Sequence, residues 1–298
     1  MDKPAGADAA GGPVRQVAAV LHRRAGVRLG LLLSAPMAWL VVAYLGSLAV
    51  LLFSSLWTVN SFTGEVIRQP SLANFRIIFT EPVYRTVAVR SVGVALAVTV
   101  IDMLIALPMA FSMAKVAAPR FRAWLVIAIL TPLWASYLVK AYSWRVMLAN
   151  GGPVDWLLGG PGHGPGYGLS ATVLVLSYLW LPYMILPIYA GLERLPNSLL
   201  EASADLGARA GRTFRSVVLP MIVPSVIAGS IFTFSLSLGD YITVQIVGGK
   251  TQLIGNLVYA NIGAANNLPF AAALATIPVV IMIGYLVAVR RTGALDQL

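Results

Sequence analysis

Six apolar runs, at roughly 29–56, 87–113, 121–148, 169–190, 221–247 and 269–289, decide what this chain can fold into. Each is near or above the ~20 residues a helix needs to cross a bilayer. In hydrocarbon a backbone must satisfy its own N–H and C=O groups, which leaves only helices and closed barrels. No run shows the alternation over about ten residues that marks a barrel strand. The sequence therefore predicts an all-α, polytopic membrane protein with six transmembrane helices. A soluble domain would not need so many long apolar segments with so few charges, with 58% of residues hydrophobic and 11% charged.

The first run follows Arg23, Arg24 and Arg28, as the core of a signal peptide would, but it is too long and no cleavage site follows it. It reads as a retained span. Residues 1–28 read as a cytoplasmic N-terminal tail and 29–298 as one six-helix membrane domain. Lys3, Arg15, Arg23, Arg24, Arg28, Lys115, Arg120, Arg122, Arg194, Arg209, Arg212, Arg215, Arg290 and Arg291 flank the runs on one side, against Arg68, Arg76, Arg85 and Lys250 on the other. By the positive-inside rule both termini are cytoplasmic. The net charge of +10 is thus spread over loops as topology and does not form a nucleic-acid patch.

Much chemistry is excluded. There is no cysteine, the histidines are His22 and His163, and neither HExxH nor GxSxG occurs. Gly248, Gly249, Lys250 and Thr251 spell the tail of a phosphate-binding loop, but its first glycine would fall on Val244. No catalytic or metal-binding residue and no cofactor is assigned to this chain.

One segment does not belong to lipid. Residues 201–220 read EASADLGARAGRTFRSVVLP and lie on the cytoplasmic side. Ser198 and Glu201 have capping-box spacing. Leu199, Ala202, Leu206, Ala210, Phe214 and Val217 recur at helical steps, and Asp205 can pair with Arg209 at i, i+4. The spacing predicts an amphipathic helix. Gly207 and Gly211 are each about 1 kcal/mol unfavourable inside one, which predicts a bend or a close approach by another backbone.

Glu201, Ala202 and Ser203, then Gly207, then Val217, Leu219 and Pro220 resemble the EAA loop of permease subunits in bacterial ABC importers, E-A-A, three residues, G, nine residues, I, one residue, L-P. Ser203 and Val217 depart conservatively. TPLWASYLVKAYSW at 131–144, LPYMILPIYAGLERLP at 181–196 and LGDYITVQIVGGKTQLIGNLV at 238–258 resemble the spermidine and putrescine branch. The resemblance implies a type I importer permease with the MetI-like fold in the bacterial inner membrane, importing polyamines by alternating access. It implies that loop 196–220 couples to an ATPase through Glu201, Ala202, Ser203, Asp205, Gly207, Arg209, Leu219 and Pro220. The implied partners are a second permease, a cytoplasmic ATPase dimer that holds the ATP and Mg, and an extracytoplasmic binding protein touching segment 57–86. Permeases for ferric iron, sulfate, thiamine or another organic solute share the loop, and a stand-alone channel or carrier would need no ATPase.

Charges inside a span are costly and face the bundle interior or a cavity. Three stand out: Asp102, Lys140 and Asp240. At ~1.5 Å per residue, Lys140 lies about 12 Å and Asp240 about 10 Å below the outer ends of their spans. Two readings stand for Asp240: an ion pair with Lys140, or attraction of a substrate amine together with Tyr241. Asp102 either lines the pathway or makes a polar contact within or between subunits. Trp134, Tyr137, Tyr142 and Trp144 on the third span, with Trp180 and Tyr183 on the fourth, either line a cation path or serve as belt residues at the membrane interface, a place that Tyr142, Trp144, Trp57 and Trp156 fit best.

Overall fold

The structure, a computed structural model, describes residues 25–60 and 62–290. It falls into two units that divide after Phe53. The first holds α1 (Ala25–Leu40), a π segment (Val41–Gly46) and most of α2 (Ser47–Ser54). The tail predicted for residues 1–28 lies almost entirely outside the described residues.

The second unit opens with a two-stranded hairpin, β1 (Thr58–Val59) and β2 (Val66–Ile67), and α3 (Ala73–Thr80). Asn74 fastens them by donating to Ser55 O at 3.0 Å and Trp57 O at 2.7 Å. Then come α4 (Pro82–Phe111), α5 (Pro119–Trp134), α6 (Tyr137–Met147), α7 (Pro153–Leu157), α8 (Leu169–Arg194), α9 (Asn197–Asp205), α10 (Ala210–Thr213), α11 (Leu219–Gly239), α12 (Ile242–Val247), α13 (Ile254–Ile262) and α14 (Leu268–Arg290). Among the described residues, five helical stretches are long and apolar enough to span, and a sixth is gained if α5 and α6 count as one.

The core is the packing of α4, α8 and α11. Ala106, Ala110 and Ala114 repeat every fourth residue along α4 and the π segment that continues it (Ser112–Val116), and let it close on Met184, Ile185, Ile188 and Leu192 of α8. Small residues bring membrane helices together because lipid supplies no hydrophobic drive between them. At Gly229 a Cβ would lie 3.1 Å from Met184 Cα, so the α8–α11 crossing needs glycine there. Pro108, Pro132, Pro182, Pro187, Pro224 and Pro278 all lie inside helices.

Two predicted spans are not single helices. The run 121–148 breaks between Trp134 and Tyr137, where α5 and α6 meet at 91°. Ala135 (ψ 141) and Ser136 (ψ 138) are extended, and Pro132 has already removed one N–H from the turn before them. The run 221–247 ends as a helix at Gly239, and extended Asp240 (ψ 129) leads into the short α12.

The loop after α7 is built around one carboxylate. Asp155 is buried and accepts the backbone N–H groups of Gly151, Gly162 and Gly164 at 2.8, 2.8 and 2.7 Å. These N–H groups, with nearby His163, hold its carboxyl below the usual carboxylate range. A depressed acid stabilises the fold above its unfolded value of about 3.9 and loses that contribution as pH falls through the folded value. The loop is therefore expected to keep its amides protected from hydrogen exchange down to pH 5, and Asp155→Ala to expose Gly162 and Gly164 already at pH 7. Equal protection in the two proteins would refute this.

Candidate functional site

Two places gather the residues singled out by sequence. The first is the connection between α8 and α11. Pro196, with φ of −63°, is the last residue before α9, so the helix starts at Asn197 and Ser198 lies inside it. The expected capping box is therefore absent, and the start is held instead by Lys115, whose Nζ donates to Leu195 O at 2.6 Å and Asn197 Oδ1 at 3.0 Å.

Gly207 at φ +76° ends the helix, a conformation that costs any residue with a Cβ. The predicted continuous amphipathic helix is thus two short ones. Asp205 closes α9 and Arg209 stands just before α10, so they do not share a helix face as an i, i+4 pair. The bend at Gly207 is as expected, whereas Gly211 sits inside α10.

The two pieces are pinned inward. Ser203 and Thr213 hydroxyls lie 2.9 Å apart, and Phe214 meets Phe111 edge-on at 6.0 Å. Leu200 and Phe214 pack on the core around Leu192, Leu195, Val218 and Ile222. Outward stand Glu201, Ala202, Asp205, Gly207 and Arg209, with Leu206 88% exposed at the turn. Leu219 is half-buried and Pro220 exposed where α11 begins. The result is an exposed knuckle packed against the ends of three core helices.

The second place is where the two broken spans meet. Asp240 Oδ1 accepts Thr243 N–H at 2.9 Å, so Asp240 caps α12. Its Oδ2 accepts the Tyr137 hydroxyl and, at 3.3 Å, the Thr243 hydroxyl. The Tyr137 and Thr243 oxygens are 2.5 Å apart. The carboxylate therefore takes Tyr137 and Thr243, and not Lys140, because the bend after Trp134 turns α6 away from the straight span on which the depths were matched. Tyr137 stacks on Trp180 at 5.9 Å, Trp180 meets Tyr183 at 5.8 Å, and Tyr241 stacks on Tyr259 at 5.0 Å.

An open pocket of about 340 Å³ lies here, lined by Tyr137, Trp180, Gly239, Asp240, Tyr241 and Ile242 among others, with no basic residue in its wall. Asp240 itself is 8% exposed. Trp134, 82% exposed, is not part of this wall. Asp102 lies apart, fully buried on α4, with neither carboxylate oxygen hydrogen-bonded to a described residue. Ser177 of α8, the helix packed on α4, also has a buried hydroxyl without a hydrogen-bond partner among the described residues.

Sequence reading missed Thr243 and both breaks. The signal for one was present: Gly239 followed by Asp240 is a helix stop followed by a cap. Ser136, just after the first break, makes no side-chain cap and left only the weaker mark of Pro132.

Comparison with known proteins agrees with the expected family. Residues 29–292 match the family described as binding-protein-dependent transport system inner membrane component. The chain is 45% identical to the inner membrane ABC transporter permease protein YdcU of Escherichia coli K12, over 92% of each chain. It is 33% identical to the spermidine/putrescine transport system permease protein PotB of Haemophilus influenzae, over 68% of this chain and 73% of that one. Among solved structures, a bacterial ABC transporter involved in import of the acidic polysaccharide alginate superposes with TM-score 0.62 at 16% identity, covering 89% of this chain and 97% of that one. The MetNI methionine ABC transporter gives 0.53 at 18% identity, over 72% and 97%. The fold is the MetI-like fold of ABC importer permeases, and the chain belongs to the family of binding-protein-dependent transport system inner membrane components.

Proposed function

We propose that this permease carries polyamines of the spermidine and putrescine class. The observation that carries the reading is the pocket at the two helix breaks, where a carboxylate stands among the faces of Tyr137, Trp180 and Tyr241 with no basic residue in the wall. An organic polycation is attracted by both the charge and the rings. An anionic solute would find no basic residue in this wall, and the Asp240 carboxylate already occupies the Thr243 N–H in the first turn of α12. The 33% identity to PotB supports the same substrate class.

The chain works with a second permease, an ATPase dimer that holds ATP and Mg, and an extracytoplasmic binding protein. The knuckle of α9 and α10 faces the cytoplasm with both termini, in the bacterial inner membrane, and rests on the ATPase through Glu201, Ala202, Asp205, Leu206, Gly207 and Arg209. Ser203, Leu219 and Pro220 tie that contact to the span. ATP-driven closure moves the knuckle, and α4, α8 and α11 follow because its residues share their core.

The test is ATP hydrolysis by the reconstituted complex, with binding protein loaded with spermidine, putrescine or a non-amine solute. Polyamine-loaded protein is expected to stimulate, and Asp240→Asn to raise its half-saturating concentration about tenfold, the worth of one charge-assisted hydrogen bond. Stimulation by the non-amine solute alone would remove the polyamine reading.

A further inference from the structure

The two helix breaks are not merely near one another; one hydrogen-bonded cluster holds both. Tyr137 is the first residue of α6, Asp240 follows the last residue of α11, and Thr243 lies in the first turn of α12. All three side chains meet on the Asp240 carboxylate. Around them the Asp240–Tyr241 break is gripped from behind: Asn256 donates to Tyr241 O at 3.0 Å, and a Cβ on Gly255 would lie 3.1 Å from Asp240 O. Among the described residues no hydrogen bond from another element backs the Ala135–Ser136 break in this way, and α6 rests there on α8 through the Tyr137–Trp180 stack and the cluster of Ala141 with Val175 and Leu179. Its further contacts with α12, Ala141 and Leu148 against Ile246 and Val247, and Arg145 Nη1 on Ile246 O at 2.6 Å, lie one or more turns away.

We propose that this cluster is a clasp that the substrate opens. Tyr137 and Thr243 act as positioning residues that hold α6 to the Asp240 carboxylate, and an ammonium group of the substrate takes the place of the Tyr137 hydroxyl. The proposal rests on the polyamine reading of the same pocket.

The exchange follows from donor strength and geometry. A buried carboxylate requires donors, and without substrate the neutral hydroxyls of Tyr137 and Thr243 supply them. A carboxylate offers about four acceptor positions, of which Thr243 N–H and the two hydroxyls fill three. An ammonium is a charged donor, and its hydrogen bond to a carboxylate is roughly twice as strong as a neutral one. It enters at the open position and, as the stronger donor, draws the carboxylate from the phenol, whereas the Thr243 N–H is held in place by the backbone of α12. The released hydroxyl frees α6 to swing about the extended Ala135–Ser136 link, while the ring of Tyr137, stacked on Trp180, still presents a face to the cation. Arrival of substrate is thereby converted into freedom of one broken helix relative to the other.

Tyr137→Phe keeps the ring and its stacking but removes the hydroxyl. Thr243→Val removes the second hydroxyl and keeps the capping N–H. In the full complex of both permeases and ATPase, each variant is expected to raise ATP hydrolysis without binding protein about three- to tenfold, as loss of one net hydrogen bond shifts a two-state balance. Tyr137→Phe is also expected to lower the half-saturating concentration of spermidine-loaded binding protein, the opposite of Asp240→Asn. Unchanged basal hydrolysis in either assembled variant overturns the clasp. A raised half-saturating concentration with unchanged basal rate would make Tyr137 a simple substrate contact. If basal hydrolysis rises in both variants while only a non-amine solute stimulates the wild type, the polyamine reading fails and so does the ammonium exchange, but the hydroxyl clasp itself stands.

Discussion

Gly207→Val leaves the transporter assembled in the membrane and cuts ATP-driven uptake about five- to thirtyfold, the effect expected from ~1–2 kcal/mol of strain on one turn. The space around Gly207 does not cause this, because no atom lies within 4 Å of a Cβ built there. The backbone does. At φ +76° a β-branched residue is an outlier, and the turn is expected to relax toward a continued helix. That would swing Leu206, Arg209 and the start of α10 away from where Ser203 and Thr213 now hold them.

A graded series separates conformation from contact. Asparagine visits the left-handed region more readily than other residues with a Cβ, so Gly207→Asn should keep most of the uptake and Gly207→Ala should fall between. The readout is uptake into proteoliposomes, with the amount of copurified ATPase as control for docking. Wild-type uptake by Gly207→Val would mean that the turn is dispensable. Equal loss in Asn and Val variants would mean that any side chain there blocks the partner, and that the left-handed turn is not the cause.

The spans were legible because lipid leaves the backbone so few choices: apolar length alone placed the helices, and α8 and α14 begin within one residue of the predicted runs. Gly207 was legible for the same kind of reason, since a glycine amid helical spacing has a local cost. The breaks were not. A hydropathy window averages across Ala135, Ser136, Asp240 and Tyr241, none of which is polar enough over that length to interrupt an apolar run. Once a helix bends by 91°, rise per residue no longer measures depth, and the match of Lys140 with Asp240 lost its basis. Ser198 failed differently. Its spacing to Glu201 was right for a cap, but Pro196, set next to a lysine-held Asn197, started the helix earlier. Thr243 carried no mark at all, because its role exists only after the chain has turned and brought Tyr137 to it.

Asp102→Leu is expected to do two opposite things: to raise the thermal stability of the purified complex and to abolish transport. In the structure the carboxylate is fully buried between α4 and its neighbours, without a hydrogen bond to any described residue. An unsatisfied buried polar group costs about 1–3 kcal/mol, more when charged, and an apolar side chain in its place is neutral or stabilising. A gain of that size corresponds to a rise of roughly 2–5 °C in Tm for a chain of this length. If Asp102 were a structural contact already made here, the same change would lower Tm, and that result would sink the argument. Transport is lost because a group this costly has its partner elsewhere in the cycle, and Ser177, equally unpartnered on the facing helix, marks the direction. Ser177→Ala should then reproduce part of the transport loss with a smaller rise in Tm, whereas full transport in Asp102→Leu would leave the buried acid without a function in the cycle.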